Sequence, residues 1–162
     1  MLIPVEVLGV RIEMPSNQPF VLLKEIDGNR ILPIWVGSHE ATSIAFAKEG
    51  INPKRPLTHD LISDLFDHTS LVLTAIHITE LRDGIFYAQL ALRNSEGALE
   101  PLSARPSDAI AIALRAQANI LVEGELMDKV AIEAPQERGE ASEVDVEAFR
   151  EFLDQINPED FA

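Results

Sequence analysis

The 162-residue chain contains no cysteine, which excludes a disulfide framework, a thiolate nucleophile, an iron–sulfur cluster and a cysteine-ligated zinc. The same absence fits a reducing compartment, and a cytoplasmic protein is expected. Aromatic residues are scarce, 6% of the chain with one Trp and one Tyr. Trp35 and Phe86 are read as core residues rather than stacking platforms. Positive charge is the third shortage: 13 Lys and Arg stand against 27 Asp and Glu, for a formal charge of −14. Nucleic-acid binding normally draws on a basic patch that releases counterions from phosphates. No such run occurs, so a local cluster or a metal ion would have to do that work. The acidity is uneven, with −8 in residues 133–162 and −6 in the preceding 132. Long apolar runs are missing too. The start MLIPVEVLGVRIE lacks a basic n-region and is broken by Glu6 and Arg11, so neither a signal peptide nor a membrane span is expected. GxGxxG, P-loop, GxSxG and HExxH patterns do not occur, which leaves dinucleotide binding, P-loop hydrolysis and α/β-hydrolase chemistry without support.

What is present is enough apolar residue, 46%, for one well-buried domain. Its expected extent is residues 1–132, followed by an acidic flexible linker over 133–143 and a C-terminal amphipathic helix and tail over 144–162. Residues 2–13, 20–26 and 31–36 read as strands separated by MPSNQP and DGN, with Asp27-Gly28 as a hairpin signal. Pro33 lacks an N–H donor, so its strand should lie at an edge or carry a bulge. Ser38 is expected to cap a helix to about Lys48, closed by Gly50. Thr58 is expected to cap a second helix to about His68 with Leu61, Ile62, Leu65 and Phe66 on its buried face. Strands follow at about 71–80, 85–93 and 98–103, then a helix from Ser107 and a short buried strand at 120–123. The helix after Ser107 is apolar almost all round, which predicts burial between layers or against a partner. In the terminal segment Val146, Phe149, Phe152, Leu153 and Ile156 recur at helical spacing.

The second half repeats the order of the first. A shift of 68 residues places LPIWVGSHEATSIAFA on EPLSARPSDAIAIALR, so that Pro33, Ala41, Ile44 and Ala45 meet identical residues and Glu40 meets Asp108. The expected fold is therefore a mixed α/β, or α+β, domain built from a duplicated strand-meander-plus-helix unit, with the C-terminal amphipathic helix appended.

Two polar clusters precede apolar helical runs. At Arg105 to Asp108 a purely structural account suffices: Pro106 directs the chain, Ser107 caps free amides for about 1 kcal/mol, and Asp108 complements the helix dipole for about 0.3 to 1 kcal/mol. The functional account has helix-start amides, Ser107 and Arg105 holding a phosphate or carboxylate, while Asp108 ligates a metal or activates water. In the second cluster Asp60, Asp64 and Asp67 share one helical stripe, and each like-charge pair costs about 0.2 to 0.5 kcal/mol. A solvated acidic face is the bland reading. A cation relieving the repulsion is the sharp one, with oxygen ligands suited to Mg²⁺ or Mn²⁺ and His59 as nitrogen ligand or general base. His39, His68 and His77 are read as structural.

The stretches NQPFVLLKEIDGNRILPIWVGSHEATSIAF, RPLTHDLI, DGIFYAQL and SARPSDAIAIALR, in that order, resemble the bifunctional nuclease (BFN) domain family over about Met1 to Met127. The resemblance implies a mixed α/β domain that self-associates, here expected as a homodimer, with plant relatives that cut DNA and RNA and many bacterial members of no established activity. The site candidates within the shared motifs are Arg55, His59, Asp60, Arg105, Ser107 and Asp108, with Glu40 as the repeat partner of Asp108. For a nuclease, Asp60, Asp108 and Glu40 would hold a divalent ion, Mg²⁺ or Mn²⁺. His59 or a carboxylate would activate water, and Arg55 or Arg105 would stabilise phosphate charge. The competing expectation is a non-enzymatic oligomeric module that binds an anionic small molecule or a protein.

Overall fold

The computed structural model describes residues 1–134. The expected terminal helix, and all but Glu133 and Ala134 of the expected linker, lie outside those residues. Strands β1 (Leu2–Glu13), β2 (Gln18–Glu25) and β3 (Arg30–Trp35) form an antiparallel meander that leads into helix α1 (Ser38–Glu49). Helix α2 (Thr58–His68) follows, and then β4 (Val72–Arg82), β5 (Ile85–Asn94), β6 (Gly97–Ala98), β7 (Leu102–Ala104) and α3 (Pro106–Ala116). The body closes with β8 (Asn119–Glu123), α4 (Gly124–Val130) and β9 (Ile132–Glu133). The strands make one nine-stranded sheet in the order β6-β5-β4-β8-β1-β2-β3-β9, with β7 also paired to β5. All pairings are antiparallel except β4 with β8. The architecture is thus mixed α and β. Helix α1 packs on β1 and β2, and α3 packs on β4, β5 and β8.

Local chemistry accounts for most boundaries. Asp83 and Gly84, at φ 52° and 76°, make the two-residue turn between Arg82 and Ile85, the backbone geometry whose twist matches a hairpin. Gly50 closes α1 at φ 69°, its N–H reaching back to the Ala47 carbonyl while the Ile51 N–H reaches the Phe46 carbonyl. Pro33 pairs with Leu22 of β2, while β9 covers β3 only at Arg30 and Ile31. Its missing N–H therefore falls where no neighbouring strand is paired among the described residues. β9 itself carries the folded body into the expected linker: the Ala134 N–H donates to the Asn29 carbonyl at 2.6 Å, and Asn29 Nδ2 donates to the Ala134 carbonyl at 3.0 Å.

Some expectations need correction. The expected strand 98–103 is two short ones, β6 and β7, because Pro101 and its neighbours break the pairing with β5. The caps of α1 and α2 lie one residue before the expected ones and that of α3 two residues before: Gly37, Leu57 and Arg105 occupy the cap positions, and none makes a side-chain cap of its own. Ser107 instead lies buried in the first turn of α3. On α2, Leu61 and Leu65 are 60% and 56% exposed. The inward face is His59, Ile62 and Phe66. That face turns inward because His59 has polar partners waiting in the core, described below. Helices α1, α2 and α3 pack together, and the Ala109 to Ala113 stretch of α3 is buried throughout. The main core is shared by β1 to β5, β8 and these helices, with α4 contributing Leu126 and Met127. A second small cluster, Phe20, Leu22 and Ile31, packs with Trp35, Ile132 and Ala134, and the Phe20 and Trp35 rings stack at 5.3 Å.

Candidate functional site

The first turns of α1, α2 and α3 meet, and each brings a chemically active side chain. Glu40 is the third residue of α1, His59 the second of α2, and Asp108 the third of α3. Acids in these positions are stabilised by free helix amides and the positive dipole end. Arg105, at the cap of α3, joins two of them: its Nε donates to Asp108 Oδ2 at 2.8 Å, and its Nη2 donates to Asp108 Oδ1 at 3.1 Å and to Glu40 Oε1 at 2.9 Å. Two carboxylate oxygens therefore converge on one cationic nitrogen. Arg105 is 65% exposed, so this part of the network faces solvent.

Behind it lies a buried chain of hydrogen bonds. His59, 8% exposed, sits with Nε2 at 2.8 Å from Asp108 Oδ1 and Nδ1 at 2.7 Å from Ser43 Oγ. Ser43, on α1 and 3% exposed, also receives Arg115 Nη2 at 3.0 Å. Arg115 lies in the last turn of α3, and it donates further to the Ser43 carbonyl at 3.2 Å, the Ala111 carbonyl at 2.8 Å and Asp60 Oδ1 at 2.6 Å. Asp60 Oδ2 in turn accepts the Leu57 N–H at 2.8 Å, satisfying a free amide at the start of α2. Ser43, His59 and Asp108 have the connectivity of an acyl-transfer triad. Ser43 is nonetheless buried and its oxygen already accepts from Arg115, so it is not presented as a nucleophile.

Electrostatics follow from these partners. Burial pushes Asp108 up, but the Arg105 guanidinium and the His59 hydrogen bond outweigh it and hold the carboxyl below the usual range. Burial likewise raises Asp60, and Arg115 and the Leu57 N–H bring it down overall. Glu40 is lowered first by its own backbone N–H, against burial, and then by Arg105. All three acids are therefore ionised at neutral pH.

Of the seven candidate residues, Glu40, Arg105, Asp108 and His59 are brought into one network. Asp60 joins only through Arg115 and Ser43, and its carboxylate is directed to Arg115 rather than to Asp108. Arg55 is exposed in the connector before α2, and Ser107 is buried. Both ring nitrogens of His59 are engaged. Among the described residues no group of three or more His, Cys, Asp or Glu is arranged to hold a metal ion. Ser43 and Arg115 were not legible as site residues. Asp64 and Asp67 line a separate open cleft of about 340 Å³ together with Asp60, Asn52, Ser63 and Arg115. Glu40, Arg105 and Asp108 are not part of its lining. Among the described residues no helix is long and apolar enough to cross a membrane.

Comparison with known proteins adds to this geometry. A model described as the bifunctional nuclease domain matches residues 21–135, a stretch that contains every residue of the network. Two uncharacterized proteins, from two strains of Mycobacterium tuberculosis, are each 45% identical over 163 residues, covering 97% of this chain and 96% of the relative.

Proposed function

Because the chain belongs to the bifunctional nuclease domain family, we propose that it hydrolyses phosphodiester bonds in DNA, RNA or both at the surface formed by Glu40, Arg105 and Asp108. The observation that carries this reading is the convergence of Glu40 Oε1 and Asp108 Oδ1 on one nitrogen of the exposed Arg105. A guanidinium held by two carboxylates at the protein surface can exchange them for a phosphate, which its planar fork matches with paired hydrogen bonds. Arg105 would then offset the negative charge that grows on the phosphoryl oxygens as water attacks phosphorus. Asp108, ionised and fixed by His59, accepts the proton of that water in this scheme, while the P–O bond to the departing strand breaks and the leaving oxygen takes a proton from solvent. His59 serves Asp108, since neither of its nitrogens is free to meet water.

The donor set suits a hard divalent cation. Mg²⁺ is commonly held by one or two carboxylates plus substrate phosphates rather than by a full protein cage. Glu40 and Asp108 supply two oxygens directed at one point of positive charge, and we assign Mg²⁺ or Mn²⁺ to them rather than to Asp60. When bound, such an ion supplies Lewis acidity and a water of lowered pKa. It would also lessen the repulsion between nucleic acid and a chain of charge −14. The proposed working unit is a cytoplasmic homodimer, its oligomeric state to be read by light scattering.

Incubation of labelled DNA and RNA strands with purified protein tests this reading. Cleavage should appear with Mg²⁺ or Mn²⁺, stop with EDTA, and fall at least about hundredfold in Glu40→Gln. Cleavage that ignores both EDTA and the substitution would belong to a contaminant. The non-enzymatic reading is favoured by one observation: Glu40, Asp60 and Asp108 are each already paired with an arginine, as acids with a purely structural role would be. Under that reading no cleavage occurs with any metal, and native mass spectrometry finds an anionic metabolite or protein partner retained.

A further inference from the structure

We infer that Ser43 and Arg115 are positioning residues that fix the neutral His59 ring as the Nε2–H tautomer and, through it, set the Asp108 carboxylate against Glu40 and Arg105. The tautomer follows from the chain of bonds alone; only its functional half rests on the nuclease reading. A guanidinium donates and never accepts. Arg115 Nη2, 3.0 Å from Ser43 Oγ, therefore uses that oxygen as an acceptor. The single hydroxyl proton of Ser43 must go elsewhere, and His59 Nδ1 stands 2.7 Å away. A nitrogen that accepts an O–H carries no proton of its own in a neutral imidazole. The ring proton therefore sits on Nε2, 2.8 Å from Asp108 Oδ1, which as a carboxylate only accepts.

In that arrangement every donor meets an acceptor from Arg115 to Asp108. The opposite tautomer would bring two donors onto Ser43 Oγ, strand the hydroxyl proton in a buried site, and set the Nε2 lone pair against a carboxylate. Arg115 cannot swing away to relieve this, because Asp60 Oδ1 and the Ala111 carbonyl hold it at 2.6 and 2.8 Å. The chain thus ties the last turn of α3, the middle of α1 and the start of α2 to the orientation of one carboxylate on the first turn of α3.

Nitrogen-15 labelled wild-type protein tests the assignment by long-range proton–nitrogen correlation at about pH 9, where an ordinary imidazole is neutral. His59 should show a protonated Nε2 and an acceptor-type Nδ1. A proton on Nδ1 overturns the inference without any variant. In Ser43→Ala the Nδ1 resonance should move downfield toward that of an unbonded acceptor nitrogen while Nε2 stays protonated; an unmoved resonance removes Ser43 from the chain. The cleavage rate of that variant should fall about ten- to hundredfold with KM unchanged, the mark of a misplaced group rather than lost binding. Unchanged cleavage overturns the positioning role. If wild-type protein cuts nothing, the nuclease reading fails and the tautomer is still decided by the spectra.

Discussion

Asp60→Ala is the sharpest test of whether the buried half of the network is structural. Arg115 is only 9% exposed at its side chain and Asp60 26%. Breaking a buried pair by removing one partner costs about 3 to 5 kcal/mol, because a charge is left uncompensated. Two features reduce that figure here. Asp60 lines an open cleft, so water reaches the guanidinium once the carboxylate is gone. Arg115 also keeps the Ala111 and Ser43 oxygens. The charge effect then comes to about 1 to 2 kcal/mol, and loss of the acceptor for the Leu57 N–H adds about 1 kcal/mol. The expected loss is about 2 to 3 kcal/mol, a fall in Tm of about 4 to 12 °C for a domain of this size. Urea unfolding followed by circular dichroism measures it. Asp60→Asn, which keeps the amide acceptor, should lose about 1 kcal/mol less. In Asp60→Ala/Arg115→Met the two losses should not add, since the stranded charge is gone. A loss below about 0.5 kcal/mol for Asp60→Ala would mean the pair behaves like an exposed one, and the reasoning would fail.

Acid should act through the same groups. Glu40, Asp60 and Asp108 have folded pKa values below their unfolded ones, so their contribution is full above the unfolded range of about 3.9 to 4.3 and is lost as pH falls through the folded values. Arg105→Gln should therefore flatten the acid limb of stability against pH relative to wild type, read from urea midpoints between about pH 2 and pH 6; parallel limbs would count against the Arg105 pairs. Asp64 is exposed one turn after Asp60. Asp64→Ala should stabilise by about 0.2 to 0.5 kcal/mol by removing a like-charge neighbour, with no effect on cleavage; destabilisation would show that the cleft acids hold something. Leu61→Ser, at an exposed position, should change stability by no more than about 0.5 kcal/mol in an isolated monomer. A larger loss, or a change in oligomeric state, would mark α2 as an interface.

The strands and helices were legible because the alternating apolar residues of β1 and β5, the Asp83-Gly84 turn and the Gly50 stop are local signals whose meaning does not depend on distant residues. The shift of 68 residues went further: it set Glu40 opposite Asp108, and these two acids share Arg105 in the fold. The inward face of α2 was misread because two leucines outrank a histidine on any hydrophobic scale. The burial of His59 depends on Ser43 and Asp108, 16 and 49 residues away. Asp60 was grouped with Asp108 by chemical type, but Arg115, 55 residues along the chain, claims it. Ser43 within an apolar helix and Arg115 at the end of another look like ordinary polar residues until the helices are packed. Pairing between remote side chains is a property of tertiary structure, and a single sequence carries no local mark of it.

The central claim, that Asp108 carries phosphodiester hydrolysis at the meeting of three helix starts, is tested most directly by single-turnover cleavage of end-labelled RNA and DNA by wild type and Asp108→Asn of matched thermal stability. The account predicts metal-dependent cutting by wild type and a rate at least about hundredfold lower in the variant; equal rates, or intact strands with both proteins, would contradict it.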